Sequence, residues 1–115
     1  MRLTVKTRSA ILYETHAGDK PYELWLQTLK DKRAKAKLFA RVDRAEMGNF
    51  GKYRDLQEGV FELKENFGPG YRVYFGIDGD EIILLLCGGD KGSQSRDIER
   101  AKKYWKDFLE RKESP

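Results

Sequence analysis

Hydrophobic and polar positions alternate at the start of this 115-residue chain and then change to helical spacing. Residues 3–7 alternate and the apolar residues 11–13 follow a polar break, so the pattern predicts one strand or two short ones without revealing their partner. Pro21 is a favourable first residue for a helix, because the N–H that it lacks would have no acceptor there. Four apolar residues at i, i+3, i+4 and i+7 then predict a short amphipathic helix: Tyr22, Trp25, Leu26 and Leu29.

A second, longer helix is predicted from about residue 33 to residue 47. Its apolar row is Ala34, Leu38, Val42 and Ala45, and Gly48 suits the left-handed position that ends a helix. Beside this row lies a basic stripe, spaced at i, i+4, i+8 and i+11: Arg33, Lys37, Arg41 and Arg44. Such a stripe is either a solvated helix face or a surface for an anionic partner.

Residues 60–91 carry the pattern of a three-strand antiparallel meander, which follows an ordered loop at 49–55. On the first strand the apolar residues share one face, so Glu62 and Lys64 share the other. After a turn at 68–70, we expect Arg72 and Tyr74 to point outward, to the side that carries Lys64. A tight turn at 78–80 precedes an apolar run without alternation, which is typical of a strand covered on both faces.

Gly88 and Gly89 are expected to end that third strand. Ser93 or Ser95 can cap a last helix that frays after residue 110 and whose apolar face contains Ile98, Ala101, Trp105 and Phe108. The pattern therefore predicts one domain, residues 1–115, with an α+β two-layer fold. Its elements are an N-terminal strand, two helices, a three-strand antiparallel meander and a C-terminal helix.

Composition narrows the classes of partner and of chemistry. The net charge of +4 and a pI near 9.2 favour anionic partners, without distinguishing RNA, DNA, the ribosome, a membrane surface or an acidic protein. One cysteine and one histidine exclude an internal disulfide and make no metal ligand set, so we expect neither metal nor cofactor. The chain lacks the patterns of a spanning helix and of a signal peptide, which predicts a cytoplasmic protein without a membrane partner.

Three cations of the meander, Lys64, Arg72 and Lys91, are of the types that handle phosphate without a metal or a histidine. RNA cleavage by internal transesterification needs activation of the 2′-hydroxyl, stabilisation of charge on the phosphorane-like transition state and protonation of the departing 5′-oxygen. Arginine can bind two phosphoryl oxygens through its planar fork, and lysine can neutralise developing charge. Outward charges on a sheet also serve plain solvation, so the pattern leaves both interpretations open.

Several motifs in order resemble one family: GNFG at 48–51, GVFEL at 59–63, GPGYRVYF at 68–75 and LLLCGGDK at 84–91, followed by Gln94, Asp97 and Ile98. Across residues 25–105 the chain closely resembles the HigB-like addiction-module killer proteins of the RelE/ParE toxin superfamily. The resemblance implies a toxin of a type II toxin–antitoxin system, neutralised by a protein antitoxin that commonly has a helix-turn-helix domain. RelE-like members cleave mRNA on the ribosome without a metal ion.

The resemblance also implies roles for individual residues. Arg72 would contact the scissile phosphate, Lys64 would activate the 2′-hydroxyl or neutralise charge, and Lys91 would bind phosphate. A C-terminal tyrosine that some RelE members use has no clear counterpart, since Asp97 falls near its place, and Tyr71 or Tyr74 are the alternatives. Further contacts to RNA or the ribosome are expected from the basic stripe and from three residues whose simplest explanation is solvation: Lys52, Arg54 and Arg96.

Two other functions remain open at this point. A ParE-like toxin would inhibit DNA gyrase without cleaving RNA, and a purely regulatory member would bind its antitoxin and do nothing else. Because one superfamily fold hosts several activities, the resemblance alone does not choose among them.

Overall fold

A computed structural model describes residues 3–113. It contains helices and one five-stranded sheet with strand order β1-β5-β4-β3-β2. The strands are β1 (Ser9–Leu12), β2 (Tyr53–Asp55), β3 (Phe61–Glu65), β4 (Tyr71–Asp78) and β5 (Ile82–Asp90), and the helices are α1 (Pro21–Thr28), α2 (Lys32–Glu46) and α3 (Gln94–Glu113). β1 runs parallel to β5, and the other neighbouring strands are antiparallel. The predicted α+β class and the order of its elements are confirmed. None of the helices within residues 3–113 is long and apolar enough to cross a membrane.

The N-terminal segment confirms the first of the two predicted alternatives: a single strand, β1, joins the sheet, and residues 3–7 form no strand. Arg8 fixes the entry into β1: its backbone N–H donates to Glu46 O at 2.8 Å, and its guanidinium donates to Thr4 O and to Asp80 Oδ1. This side chain is buried. Arg8 therefore links the N-terminal segment to the β4–β5 hairpin.

Local residues explain where α1 and α2 begin and where α2 ends. α1 begins at Pro21. α2 begins after Asp31, whose carboxylate accepts hydrogen bonds from the backbone N–H groups of Arg33 and Ala34 and so satisfies two donors that a helix leaves free. Gly48 has φ +94°, which confirms it as the left-handed residue that ends α2.

The sheet has a helical layer on each face, where the sequence predicted a single one. α1 and α2 cover one face, over a core that includes Leu38, Leu63, Val73 and Phe75. α3 covers the other face through Ala101 and Trp105, over a second core that includes Tyr74, Leu84 and Cys87. This explains the continuous apolar run of β5, which is buried on both faces.

Three boundaries of the meander region differ from the sequence prediction. The loop at 49–55 contributes the short edge strand β2, which pairs with β3. β5 continues through Gly88 and Gly89 to Asp90. Both positions require glycine, because neighbouring side chains occupy the space that a Cβ atom would fill. An added Cβ would lie 2.2 Å from Trp25 Cε3 at Gly88 and 1.8 Å from Asp97 Oδ2 at Gly89. The sequence predicted that residues 110–115 fray, but α3 is helical to Glu113, and the rest of that segment, residues 114–115, lies outside the described residues.

Candidate active site

Three cations predicted from the sequence meet at the end of the sheet where the β3–β4 turn lies. Lys64 is directly opposite Arg72 on β3 and β4, and Arg72 is directly opposite Gly89 on β5. Lys91 follows β5 and returns to the same place: a Cβ added to Gly70 would lie 3.4 Å from Arg72 Nη1 and 3.5 Å from Lys91 Cβ. We call Lys64, Arg72 and Lys91 the cationic cluster. Antiparallel pairing thus joins residues that are 27 positions apart at the extremes.

The members of the cationic cluster differ in exposure. Lys64 and Lys91 are exposed. Arg72 is only 3% exposed, and its Nη1 donates to Tyr71 O at 3.0 Å and to Glu65 O at 3.3 Å. The prediction that Arg72 lies on the face of Lys64 is correct, but the prediction that it points outward is not. The start of α3 and the turn before it pack over this face of the sheet and cover it.

A buried acidic group lies behind the cationic cluster on the same face. The carboxylate of Glu62 is fully buried, accepts a hydrogen bond from Gln94 Nε2 at 2.8 Å and forms an ion pair with Arg54 Nε at 3.4 Å. Asp97 is also buried, and it accepts a hydrogen bond from Ser93 Oγ and contacts Arg100 at 3.6 Å. Sequence reasoning placed Glu62 on the right face but missed its burial, since the alternation of β3 alone does not show that α3 covers it.

Neither tyrosine that the sequence offered for proton transfer is accessible. Tyr71 and Tyr74 are both buried. Burial raises the pKa of the Tyr74 phenol, and the nearby carboxylates of Glu62 and Asp97 raise it further, because both effects disfavour the phenolate. Tyr74 therefore stays protonated at neutral pH and can act only as a hydrogen-bond donor or acceptor. Its hydroxyl has no hydrogen-bond partner among residues 3–113 that meets normal geometry.

The basic stripe is not continuous in the structure. Arg33, Lys37 and Arg44 are exposed on α2, and the Lys37 ammonium lies 4.3 Å from the centre of the Phe67 ring. Arg41 is a correction to the prediction, because it is 4% exposed and points into the protein. Its guanidinium donates to Phe50 O, Lys52 O and Lys64 O and pairs with Glu65, so it has no free donor face for RNA.

The other three basic residues proposed from the sequence are all exposed, but they do not form one surface with the stripe. Lys52 and Arg54 lie at the β2 edge of the sheet, and Arg54 is held by its ion pair to Glu62. Arg96 lies in the first turn of α3. No group of three or more His, Cys, Asp or Glu side chains within residues 3–113 could hold a metal ion.

Comparison with known proteins identifies a family that covers most of the chain. Residues 24–106 match the family described as "Phage derived protein Gp49-like (DUF891)". The chain belongs to this family. The Gp49-like family is associated with toxins of toxin–antitoxin systems and with RelE-like folds, so an antitoxin is the partner that membership indicates. The HigB-like assignment is finer than this match and stays a prediction.

One relative is similar over most of the same region. A protein of Haemophilus influenzae strain Rd, described as "Uncharacterized protein", is 47% identical over 81 residues, which cover 70% of this chain and 82% of the relative. That description names no activity, so the reaction is argued from the site.

Proposed function

We propose that this Gp49-like protein is the toxin of a type II toxin–antitoxin system and acts as a metal-independent, ribosome-dependent mRNA endonuclease. The observation that carries the proposal is the convergence of Lys64, Arg72 and Lys91 at one end of the sheet. Three positive charges from three different elements at one point favour a phosphate ligand. The partners in this account are mRNA, the ribosome and a cognate antitoxin, which we expect to be of the helix-turn-helix type.

In this proposal the cationic cluster supports RNA cleavage by internal transesterification. The 2′-oxygen attacks the adjacent phosphorus, the bond to the 5′-oxygen breaks, and the products carry a 2′,3′-cyclic phosphate and a 5′-hydroxyl. Lys64 is the exposed cation on β3 and would favour ionisation of the 2′-hydroxyl, whose proton leaves to solvent, while the departing 5′-oxygen takes a proton from solvent water. Arg72 donates from Nη1 to two carbonyls, and its Nη2 would bind a phosphoryl oxygen as charge develops on it. Lys91 would hold the neighbouring phosphate.

Contacts outside the cationic cluster would position the ribosome-bound strand. Arg33, Lys37 and Arg44 form the exposed part of the stripe, and Lys52, Arg54 and Arg96 lie on other parts of the surface. Arg41 is excluded from this role because its guanidinium already donates to three backbone carbonyls and pairs with Glu65. Each exposed contact would contribute mainly charge attraction to phosphate, which weakens as salt rises.

Growth arrest after induction in bacteria tests the proposal. Arg72→Ala, Lys64→Ala and Lys91→Ala are expected to relieve the arrest, and Lys64→Ala and Lys91→Ala are the sharper tests because both side chains are exposed and their loss should leave the fold intact. Lys103→Ala, an exposed lysine on α3, is the matched control and is expected to remain toxic. Full toxicity of a folded Lys64→Ala, Lys91→Ala double variant would contradict the role of the cationic cluster.

A further inference from the structure

A cavity of about 410 Å³ opens at the free edge of β5, between α1 and α3. β1 pairs with β5 only as far as Leu85, so the last part of β5 has a strand neighbour on one side only among the described residues. Six residues that line the opening matter to the argument: Thr15, Asp19, Trp25, Gly88, Arg100 and Tyr104. We call it the β5-edge cavity, and the cationic cluster does not use it.

Flat π-rich groups border the β5-edge cavity on both sides. The Trp25 indole lies directly on the backbone of Gly88, where an added Cβ would be 2.2 Å from Trp25 Cε3. On the α3 side, the Arg100 guanidinium carbon is 5.8 Å from the centre of the Tyr104 ring, and Arg100 Nη2 donates to the Tyr104 hydroxyl at 3.2 Å. Aromatic and guanidinium planes are the surfaces on which unpaired bases stack.

Polar groups at the rim of the cavity add the means to bind the edge of a base. Asp19 is exposed, and its backbone N–H donates to Thr15 Oγ1 at 3.1 Å, which fixes the loop before α1. A carboxylate can accept from an exocyclic amino group, and a hydroxyl can donate to or accept from a ring nitrogen or carbonyl. The cavity thus combines stacking surfaces with donors and acceptors, and its volume is ample for one base.

One residue along β5 separates the β5-edge cavity from the position that pairs with Arg72 on β4. Gly88 lines the cavity, while the next residue, Gly89, is directly opposite Arg72. Lys91 is three residues beyond Gly88, so the two Cα atoms are at most roughly 11 Å apart. One nucleotide unit can span the separation between a phosphate at the cluster and a base in the cavity.

We propose that the β5-edge cavity binds an unpaired nucleobase of the RNA strand whose phosphate lies in the cationic cluster. This inference rests on the proposed function and adds a subsite to it. The base would stack against Trp25 and the Arg100 guanidinium, while Asp19 would bind its edge. A base held there would position the strand and favour some bases over others at one position next to the cut.

Titration by NMR tests the subsite without any cleavage reaction. The chain has two tryptophans, so two indole N–H signals are expected, and Trp25→Phe assigns them. The probes are the 5′-monophosphates of adenosine, guanosine, cytidine and uridine, with ribose 5-phosphate as the control that has the phosphate but no base. We expect at least one mononucleotide to shift the Trp25 signal and to bind about fivefold or more tightly than ribose 5-phosphate, the lower end of the gain from stacking one base.

Two variants test whether the β5-edge cavity contributes to nucleotide binding independently of the cationic cluster. Arg100→Glu is expected to remove the gain that depends on the base, while Lys106→Glu, a charge reversal elsewhere on α3, keeps it. Thr28→Tyr places a ring at the cavity mouth from an exposed position and should also remove the gain, which covers the case that Arg100→Glu fails to fold.

Equal binding of mononucleotides and ribose 5-phosphate, with no shift of the Trp25 signal, would overturn the subsite. It would leave the proposed function standing if Lys64→Ala weakens the binding of both. A shift of the Trp105 signal in place of Trp25 would overturn the subsite as well, because Trp105 packs under α3 on the buried face of the sheet.

Discussion

A substitution of Arg41 tests whether this buried arginine stabilises the fold rather than binding RNA. Its guanidinium donates hydrogen bonds to three backbone carbonyls: Phe50 O at 2.9 Å, Lys64 O at 2.8 Å and Lys52 O. It also pairs with the carboxylate of Glu65. These contacts tie α2 to the loop before β2 and to the end of β3. We therefore expect Arg41→Ala to destabilise the fold strongly.

The expected magnitude follows from the burial of the pair. The Arg41 side chain is 5% exposed and that of Glu65 is 20% exposed, so truncation leaves a largely buried carboxylate and carbonyls without a donor. Removal of one partner of such a pair costs about 3–5 kcal/mol of unfolding free energy. For a domain of this size that corresponds to a fall in Tm of roughly 12–20 °C.

Urea unfolding followed by circular dichroism measures the change. Arg44→Ala is the control, because this exposed arginine lies on the same helix, and we expect it to change the unfolding free energy by no more than about 0.5 kcal/mol. Arg41→Lys should recover little of the lost stability, since a single ammonium cannot reach acceptors spread over several residues. An Arg41→Ala variant as stable as Arg44→Ala would refute the reasoning and would return Arg41 to the list of possible RNA contacts.

Three further predictions concern the packing of α3 and the buried titratable groups. Gly76→Ala should cost about 1–3 kcal/mol in the same unfolding assay, because an added Cβ would lie 2.4 Å from the Trp105 ring, and an unchanged midpoint would contradict this packing. Burial raises the pKa of the Cys87 thiol to about 12, so iodoacetamide at pH 8 should modify Cys87 only in denaturant, and mass spectrometry that finds the folded protein alkylated would disprove it. Burial, helped by Asp107, also raises the pKa of the Tyr13 phenol to about 12. The neutral Tyr13 and Cys87 side chains therefore contribute stability that is fully present below about pH 9 and is lost as the pH rises towards 12. Unfolding midpoints that do not change between pH 9 and 12 would contradict this prediction.

The sequence predicted those parts of the fold that depend on neighbouring residues. Spacing alone identified α1 and α2, the turn at Gly48 and the three strands of the meander, because periodicity and turn chemistry are local properties. The parallel pairing of β1 with β5 joins segments about 73 residues apart, as in Ser9 with Ile82, and no local pattern encodes it. The extension of β5 through Gly88 and Gly89 was missed for the same reason, since the residues that lie on these glycines come from α1 and α3.

The candidate site shows the same limit. Strand alternation placed Lys64 and Arg72 on one face, and their direct pairing agrees with it. The degree of exposure was not predictable, because α3 covers Glu62, Arg72 and Tyr74 from a distant part of the chain. Helical spacing likewise put Arg41 in a basic stripe, although its rotation towards the Lys64 carbonyl buries it. Sequence periodicity assigns residues to faces, whereas burial depends on which element packs over each face.

The measurement that tests the central claim most directly is cleavage mapping of a defined mRNA with the purified protein, with and without programmed ribosomes. Lys64→Ala, Arg72→Ala and Lys103→Ala serve as parallel samples. The account predicts cuts that need the ribosome, persist in the presence of a chelator, leave a 2′,3′-cyclic phosphate and disappear with Lys64→Ala and Arg72→Ala but not with Lys103→Ala. Intact mRNA in every condition, from protein that still arrests growth, would contradict the nuclease and would favour inhibition of another target such as DNA gyrase.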